Sequence, residues 1–184
     1  MKAVRNIQRI TDTMRMIATA RFQKMQQRAA SAQAYSQKIA EVVGELASSG
    51  SGSEGITHPL LAPPPPTGRQ LLLVVGSNRG LCGAYNANVL RKATRFLREQ
   101  RDTQVDLEVV GKKALAFFRF TGREVAAHHS EIGDAPGYAD VEPLAERYIK
   151  AFADGQYDAV RVVYMAFASV SRQTPQVLGL LPVD

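Results

Sequence analysis

The first 48 residues carry an apolar side chain at every third or fourth position, and no proline interrupts them. The stripe consists of Val4, Ile7, Ile10, Met14, Ala18, Phe22, Met25, Ala29, Ala32, Tyr35, Ile39, Val42 and Leu46. Its mean step of about 3.5 residues is the coiled-coil repeat. Such a helix is roughly 70 Å long, which exceeds the width of a compact domain of this size. The pattern predicts a shaft or arm over residues 1–48 whose apolar face needs a partner.

The excess positive charge of the chain lies at the start of the same helix. The whole chain has a net charge of +6, and residues 1–30 hold seven Lys or Arg against one acid, Asp12. The other 16 bases and 16 acids of the chain cancel. A concentrated charge of this kind indicates a docking surface for an acidic partner. The alternative is an ordinary solvated helix face.

A change in composition follows the helix. Ser and Gly dominate residues 48–53, and four consecutive prolines stand at Pro63–Pro66. Ser/Gly-rich segments are flexible, and prolines disfavour a continuing helix. We therefore predict a linker over residues 49–68.

Beyond the linker, apolar runs alternate with amphipathic segments, which predicts an α/β domain over residues 69–184 with a mostly parallel sheet. Strands are predicted at residues 71–75, 105–110, 124–127, 159–167 and 175–181. Helices are predicted at residues 86–101, 112–120 and 141–154. Asp140 is the predicted N-cap of the last helix, and Gly155 suits its C-terminus.

The turn after the first strand is rich in glycine, as nucleotide-binding loops are. Gly76, Gly80 and Gly83 follow the spacing G-x3-G-x2-G, which differs from the dinucleotide fingerprint, and no Lys-Ser or Lys-Thr pair follows. The second strand is followed by Gly111-Lys112-Lys113 instead of a ribose-binding carboxylate. The glycines therefore predict a tight strand-to-helix turn, and no cofactor is expected.

Cys82 is the one cysteine of the chain. A thiol at a helix start can be nucleophilic, but neither His128 nor His129 has a spacing that assembles a catalytic constellation with it. We therefore predict that Cys82 is a small buried residue. The His pair has no further ligand at metal-binding spacing, so no metal site is expected. No apolar run approaches the roughly 20 residues that span a bilayer.

Two segments together resemble the γ subunit of F-type ATP synthases. The first is Ile7–Phe22, with the sequence IQRITDTMRMIATARF, and it resembles the N-terminal shaft helix of that family. The second is Asn78–Asn88, with the sequence NRGLCGAYNAN, which is similar to the family's signature after the first strand. His58-Pro59-Leu60 and Gln176–Pro182 fall in the right order around them, so the resemblance covers essentially the whole chain.

The resemblance implies a non-catalytic rotor subunit without an active site of its own. The N-terminal helix would pair with a C-terminal helix as an antiparallel coiled coil inside the catalytic ring, above a Rossmann-like α/β domain that binds no nucleotide. The implied partners are the α and β subunits of that ring, the ε subunit and the c-ring, with no nucleic acid. Membrane association would be indirect, on the cytoplasmic side of the bacterial inner membrane.

The resemblance and the charge pattern also assign residues to roles. The expected contacts with the catalytic ring, whose β-subunit lever loops are acidic in the family, are Arg9, Met14, Arg15, Ile17, Arg21 and Lys24. The expected coiled-coil seam is Val4, Ile7, Ile10, Ala18, Phe22 and Met25. The signature turn is Arg79, Gly80, Leu81, Cys82 and Gly83.

The sequence departs from the family pattern in three places. Asn78 stands where the family usually has Asp, which would alter one hydrogen bond of the turn. The chain begins slightly inside the first helix of the family, and it ends at Asp184, where the family continues into its C-terminal helix. We therefore expect a fragment or a truncated reading frame. Without the second helix, the isolated polypeptide is expected to self-associate or to fray over residues 1–48.

Two other functions fit parts of the sequence. A basic helix attached to an α/β domain could bind nucleic acid through its phosphates, although the apolar stripe would then have no use. A thiol-dependent or dinucleotide-dependent enzyme would use Cys82. Binding to duplex DNA would favour the first alternative, and loss of function in Cys82→Ser would favour the second.

Overall fold

A computed structural model describes residues 2–49, 60 and 66–183 of the chain. The chain divides into two units, Met1–Glu54 and Gly55–Asp184. Most of the linker predicted over residues 49–68 lies outside the described residues, so that segment and the three predicted domain ranges remain predictions.

The described part of the first unit is one helix, α1 (Lys2–Ser49), which confirms the long helix predicted over residues 1–48. It has 48 residues and is therefore roughly 70 Å long. Thr11, Thr13 and Thr19 remain compatible with the helix because each hydroxyl donates to the carbonyl four residues earlier, at 2.9 Å.

The second unit contains a five-stranded sheet in the order β3-β2-β1-β4-β5. The first four strands of this order are parallel, and β5 runs antiparallel to β4. This arrangement confirms the predicted α/β fold with a mostly parallel sheet. In chain order the elements are β1 (Arg69–Val75), α2 (Tyr85–Glu99), β2 (Gln104–Val110), α3 (Lys112–Phe120), β3 (Ala127–His129), α4 (Tyr138–Ala153), β4 (Ala159–Phe167) and β5 (Gln173–Leu181).

Helices cover both faces of the sheet because β1 is apolar at every position from Leu71 to Val75. Successive strand residues point to opposite faces, so Leu72 and Val74 pack with α2 and α3, and Leu71 and Leu73 pack with α4. The buried side chains contributed by α2 are Val89, Leu90, Ala93, Phe96 and Leu97. Those contributed by α4 are Leu144, Tyr148 and Phe152.

The predicted third strand is wrong in its position. It was expected at residues 124–127, but β3 occupies Ala127–His129 and pairs with Glu108–Val110. Residues 121–123 end α3 instead, because the amides of Thr121, Gly122 and Arg123 donate to carbonyls of its last turns. Pairing with β2 can therefore begin only further along the chain.

The predicted start of α4 is also wrong. Asp140 was expected to be the N-cap, but the helix begins at Tyr138 and its N-cap is Gly137. The Asp140 carboxylate accepts a hydrogen bond from the Gly137 amide at 2.7 Å. Asp140 thus stabilises the helix start from the third helical position, as the acidic residue of a capping box does.

Candidate functional site

The predicted seam residues of α1 have exposed side chains. The side chains of Ile7, Ile10 and Phe22 are 64%, 60% and 43% exposed, and that of Met25 is 36% exposed. Steps of three and four residues place such side chains on one side of a helix. Alongside them, Met14 and Ile17, two of the predicted ring contacts, are also exposed. A row of large apolar groups in water forgoes about 1.5 kcal/mol or more per side chain, which favours a partner for this face.

The predicted cationic contacts of α1 are exposed as well. Arg15 forms an ion pair with Asp12 at 3.1 Å, one helical turn away, and both side chains are largely in water. Such a pair contributes little to stability. Within the described part of the chain, Arg9, Arg21 and Lys24 have no ion pair. Their charges are therefore available to an acidic surface, and the assignment of these contacts stays a prediction.

The turn between β1 and α2, which contains the signature residues, is organised around Asn86. The Asn86 Oδ1 accepts from the Ser77 amide at 3.0 Å, and its Nδ2 donates to the Ser77 hydroxyl at 2.8 Å. The Ser77 hydroxyl in turn donates to the Arg79 carbonyl at 2.6 Å. One amide side chain at the start of α2 thus fixes the path of the loop that leaves β1.

A second set of bonds ties this turn to the start of α3 and to the loop before α4. Asn78 Oδ1 accepts from the Lys112 amide at 3.2 Å, and Asn78 Nδ2 donates to Asp134 at 3.2 Å. Arg79 forms an ion pair with the same carboxylate at 2.9 Å. The amide at position 78 can donate to Asp134, whereas an Asp there would face a second carboxylate.

Cys82 is exposed, so the prediction that it is a buried residue is wrong. Residues 81–84 turn outward before α2 begins, and the neighbouring Leu81 is 99% exposed with a φ of 60°. The thiol sulfur accepts a hydrogen bond from Asn86 Nδ2 at 3.1 Å. Cys82 therefore belongs to the hydrogen-bonded turn rather than to the core.

Two backbone amides at the edge of the sheet beside this turn are already hydrogen-bonded within the chain. The amides of Lys112 and Lys113 at the start of α3 donate to Asn78 Oδ1 and to the Ser77 carbonyl. These are amides of the kind that bind phosphate at other helix N-termini. Within residues 2–49, 60 and 66–183, no group of three or more His, Cys, Asp or Glu is arranged to hold a metal.

A buried carboxylate, Glu108 of β2, joins β2, β3 and α4. Glu108 is 3% exposed. It accepts hydrogen bonds from Tyr148 Oη at 2.7 Å and from Arg147 Nη1 at 3.0 Å. His129 Nε2 lies 2.8 Å from the same carboxylate, and His129 Nδ1 lies 3.0 Å from Glu131. We call these five residues the Glu108 network.

Comparison with known proteins identifies the family. The sequence model of the family described as ATP synthase matches residues 1–184, the whole length of the chain. The ATP synthase gamma chain of Rhodopirellula baltica is 39% identical over 184 residues, which covers 99% of this chain and 61% of that protein. The chain belongs to the F-type ATP synthase γ-subunit family. The family resemblance of residues 7–22 and 78–88 is thereby confirmed.

Other relatives agree in family and in extent. The ATP synthase gamma chain of Pelotomaculum thermopropionicum is 35% identical over 183 residues, which covers 100% of this γ-family chain and 63% of that protein. The γ-family chain thus spans 61% to 63% of the length of these two relatives. A chain from the central stalk and c-ring of the Tetrahymena thermophila mitochondrial ATP synthase has a similar fold, with a TM-score of 0.58 and 18% identity. That similarity covers 84% of this chain and 69% of the other.

The Glu108 network was not predicted from the sequence. The sequence feature that could have indicated it is Glu108 itself, an acid in the apolar half of β2, whose sequence is QVDLEVV. A strand in the middle of a parallel sheet is buried on both faces. A buried charge requires a partner, so Glu108 predicts a cation or donors nearby. Which elements of the γ-family chain provide these donors, β3 and α4, could not be inferred from the sequence.

The pH dependence of stability should report on this network. Burial alone would raise the pKa of Glu108, but hydrogen bonds from Arg147, Tyr148 and His129 outweigh it and lower that pKa below its usual range. The ionised network therefore stabilises the fold above the unfolded-state pKa of about 4.3, and this contribution is lost as the pH falls through the lower folded-state value.

We expect the free energy of unfolding, measured in urea at pH 7 and at about pH 3.5, to fall more for the natural chain than for Glu108→Gln. Other acids with a lowered pKa, such as Asp158, are present in both proteins. The difference between them therefore isolates Glu108. Equal losses in the two proteins would contradict this role.

Proposed function

We propose that this chain is a rotor subunit of the central stalk of an F-type ATP synthase. It couples proton translocation through the membrane sector to ATP synthesis and hydrolysis on the catalytic ring. The chemistry takes place on other subunits, and this chain transmits rotation through α1. Family membership supports the proposal, whereas no observation on the described residues favours the nucleic-acid alternative.

The observation that carries the proposal is the exposed apolar stripe of α1. A shaft needs a long helix with a continuous seam, and α1 is a single helix of 48 residues with large apolar groups exposed from Val4 to Val42. The seam residues pair with a C-terminal helix in an antiparallel coiled coil. Met14 and Ile17, with the nearby cationic side chains, contact the ring.

The proposed partners are the α and β subunits of the catalytic ring, the ε subunit and the c-ring. The positive charge over residues 1–30 supports contact with acidic lever loops of the β subunit. No helix within the described part of the chain combines the length and apolar character of a membrane span. We propose that the chain reaches the membrane through the membrane sector, on the cytoplasmic side of the bacterial inner membrane.

The coiled coil can be tested with a second helix added in trans. The probe is a synthetic peptide from the C-terminal helix of the Rhodopirellula baltica gamma chain. We expect it to slow amide hydrogen exchange over residues 4–46 by about tenfold or more, because exchange reports local opening. The same peptide should allow the chain to co-purify with the α and β subunits.

Variants of α1 provide the control for this experiment. Ile10→Asp with Phe22→Asp places charges in the seam and should abolish the protection. Met16→Asp adds a charge at an exposed position of the same helix outside the stripe, and it should leave the protection intact. Unchanged exchange in the natural chain, or equal effects of the variants, would count against the seam.

A further inference from the structure

A groove on the α/β unit lies between α2 and α3, and it has a volume of about 710 Å³. Its floor is apolar, with the buried Leu90 and the half-buried Phe117. Three arginines of α2 form its rim. We call it the basic groove, and its lining residues are Ala87, Leu90, Arg91, Thr94, Arg95, Arg98 and Phe117.

The three arginines lie on one side of α2 because they are four and three residues apart. All three are exposed. Within the described residues, none of their guanidinium groups has a carboxylate within ion-pair distance. Like charges at this spacing repel each other and destabilise a helix. The repulsion between Arg91, Arg95 and Arg98 would be relieved by an anionic partner.

The shape of the basic groove selects the kind of anion. Arg91 and Arg98 are seven residues apart, which is about 10 Å along the helix, so the rim presents a row of three cations along the groove. The side chains of Leu90 and Phe117 on the floor have no hydrogen-bond donor to offer a phosphate backbone. A helix with carboxylates at the same spacing and apolar side chains between them satisfies both the rim and the floor.

We propose that the basic groove binds an acidic amphipathic helical segment of another protein. Its carboxylates pair with Arg91, Arg95 and Arg98, and its apolar side chains contact Leu90 and Phe117. The arginine stems cover apolar surface while their guanidinium groups pair with the acids. This surface is on the α/β unit and is additional to the basic surface of α1, so the proposal does not depend on the rotor function.

The test measures binding of a labelled synthetic helix of about 18 residues, or five turns, by fluorescence anisotropy. The peptide carries Glu at three positions spaced four and three residues apart, with Leu between them on the same face. We expect the natural chain to bind this peptide and to bind its Gln counterpart at least about tenfold more weakly, because the charge-assisted pairs are absent.

The triple variant Arg91→Glu, Arg95→Glu, Arg98→Glu should lose about tenfold or more in affinity while its circular dichroism spectrum is unchanged. A peptide with Lys in place of Glu should restore binding to this variant. The matched control, Arg101→Glu, Arg119→Glu, Arg123→Glu, changes the same charge at exposed positions outside the groove and should bind like the natural chain. Equal affinity of the groove variant and the natural chain, or tighter binding of duplex DNA or tripolyphosphate than of the acidic peptide, overturns the proposal.

Discussion

Replacing Glu108 with Ala is expected to lower the free energy of unfolding by about 3 kcal/mol, which is the lower end of the range for breaking a buried ion pair. The lower end applies because the Arg147 side chain is 48% exposed and can turn to water. Tyr148 and His129 are buried and would keep polar atoms without a partner, and each such atom costs about 1–3 kcal/mol. Urea denaturation at pH 7 measures the loss as a lower transition midpoint.

The matched control for this variant is Glu131→Gln. Glu131 contacts the same histidine, but its side chain is 60% exposed, so we expect a loss of less than about 1 kcal/mol. Glu108→Gln should fall between the two, because a neutral amide keeps the shape but not the charge. If Glu108→Ala were no less stable than Glu131→Gln, the network would not hold β2, β3 and α4 together.

A second large effect is expected for Gly111→Ala, a loss of about 3 kcal/mol from overpacking and backbone strain. Gly111 has a φ of 91°, a conformation that side chains disfavour. A Cβ there would lie 2.5 Å from the Gly76 carbonyl oxygen and 2.9 Å from the Ser77 carbonyl carbon. Because these atoms are backbone, the substitution must separate the turn after β1 from the start of α3.

Two measurements check this prediction. The free energy of unfolding gives the size of the loss, and amide exchange at Lys113, which donates to the Ser77 carbonyl at 3.0 Å, shows whether the contact opens. Gly80→Ala is the control, because the nearest atom to its Cβ would be Lys113 Cε at 3.9 Å. We expect it to change stability by less than about 0.5 kcal/mol. Equal stability of the two variants would refute the packing argument.

The parts of the fold that could be predicted are those with a strong local pattern. The bounds of α3 and β4 agree with the predicted residues 112–120 and 159–167. An amphipathic helix and a strand rich in Val and Tyr can be recognised from the local sequence alone, without knowledge of the elements that pack against them. The 48-residue helix α1 was predicted for the same reason. Its exposed stripe and charges could likewise be predicted from the sequence, whereas the surfaces that cover them remain proposals.

The parts that could not be predicted depend on residues distant in the sequence. β3 contains His128 and His129, and a histidine pair does not by itself indicate a strand. The contact that holds His129 there comes from Glu108 of β2, which is distant in the sequence. Cys82 looked like a core residue, but its surroundings are set by Asn86 and Ser77 of the turn. The basic groove was missed because its floor includes Phe117 of α3, and no local pattern shows that α2 and α3 are neighbours.

The two outer strands of the sheet bear on how the isolated polypeptide would aggregate. β3 has only three residues, and β5 carries Pro175, which has no N–H to donate. Short strands and prolines at sheet margins are poor templates for strand addition by another molecule. Intermolecular assembly of the purified chain should therefore proceed by helix bundling along α1 and yield α-helical oligomers, with no growth of thioflavin-positive fibrils.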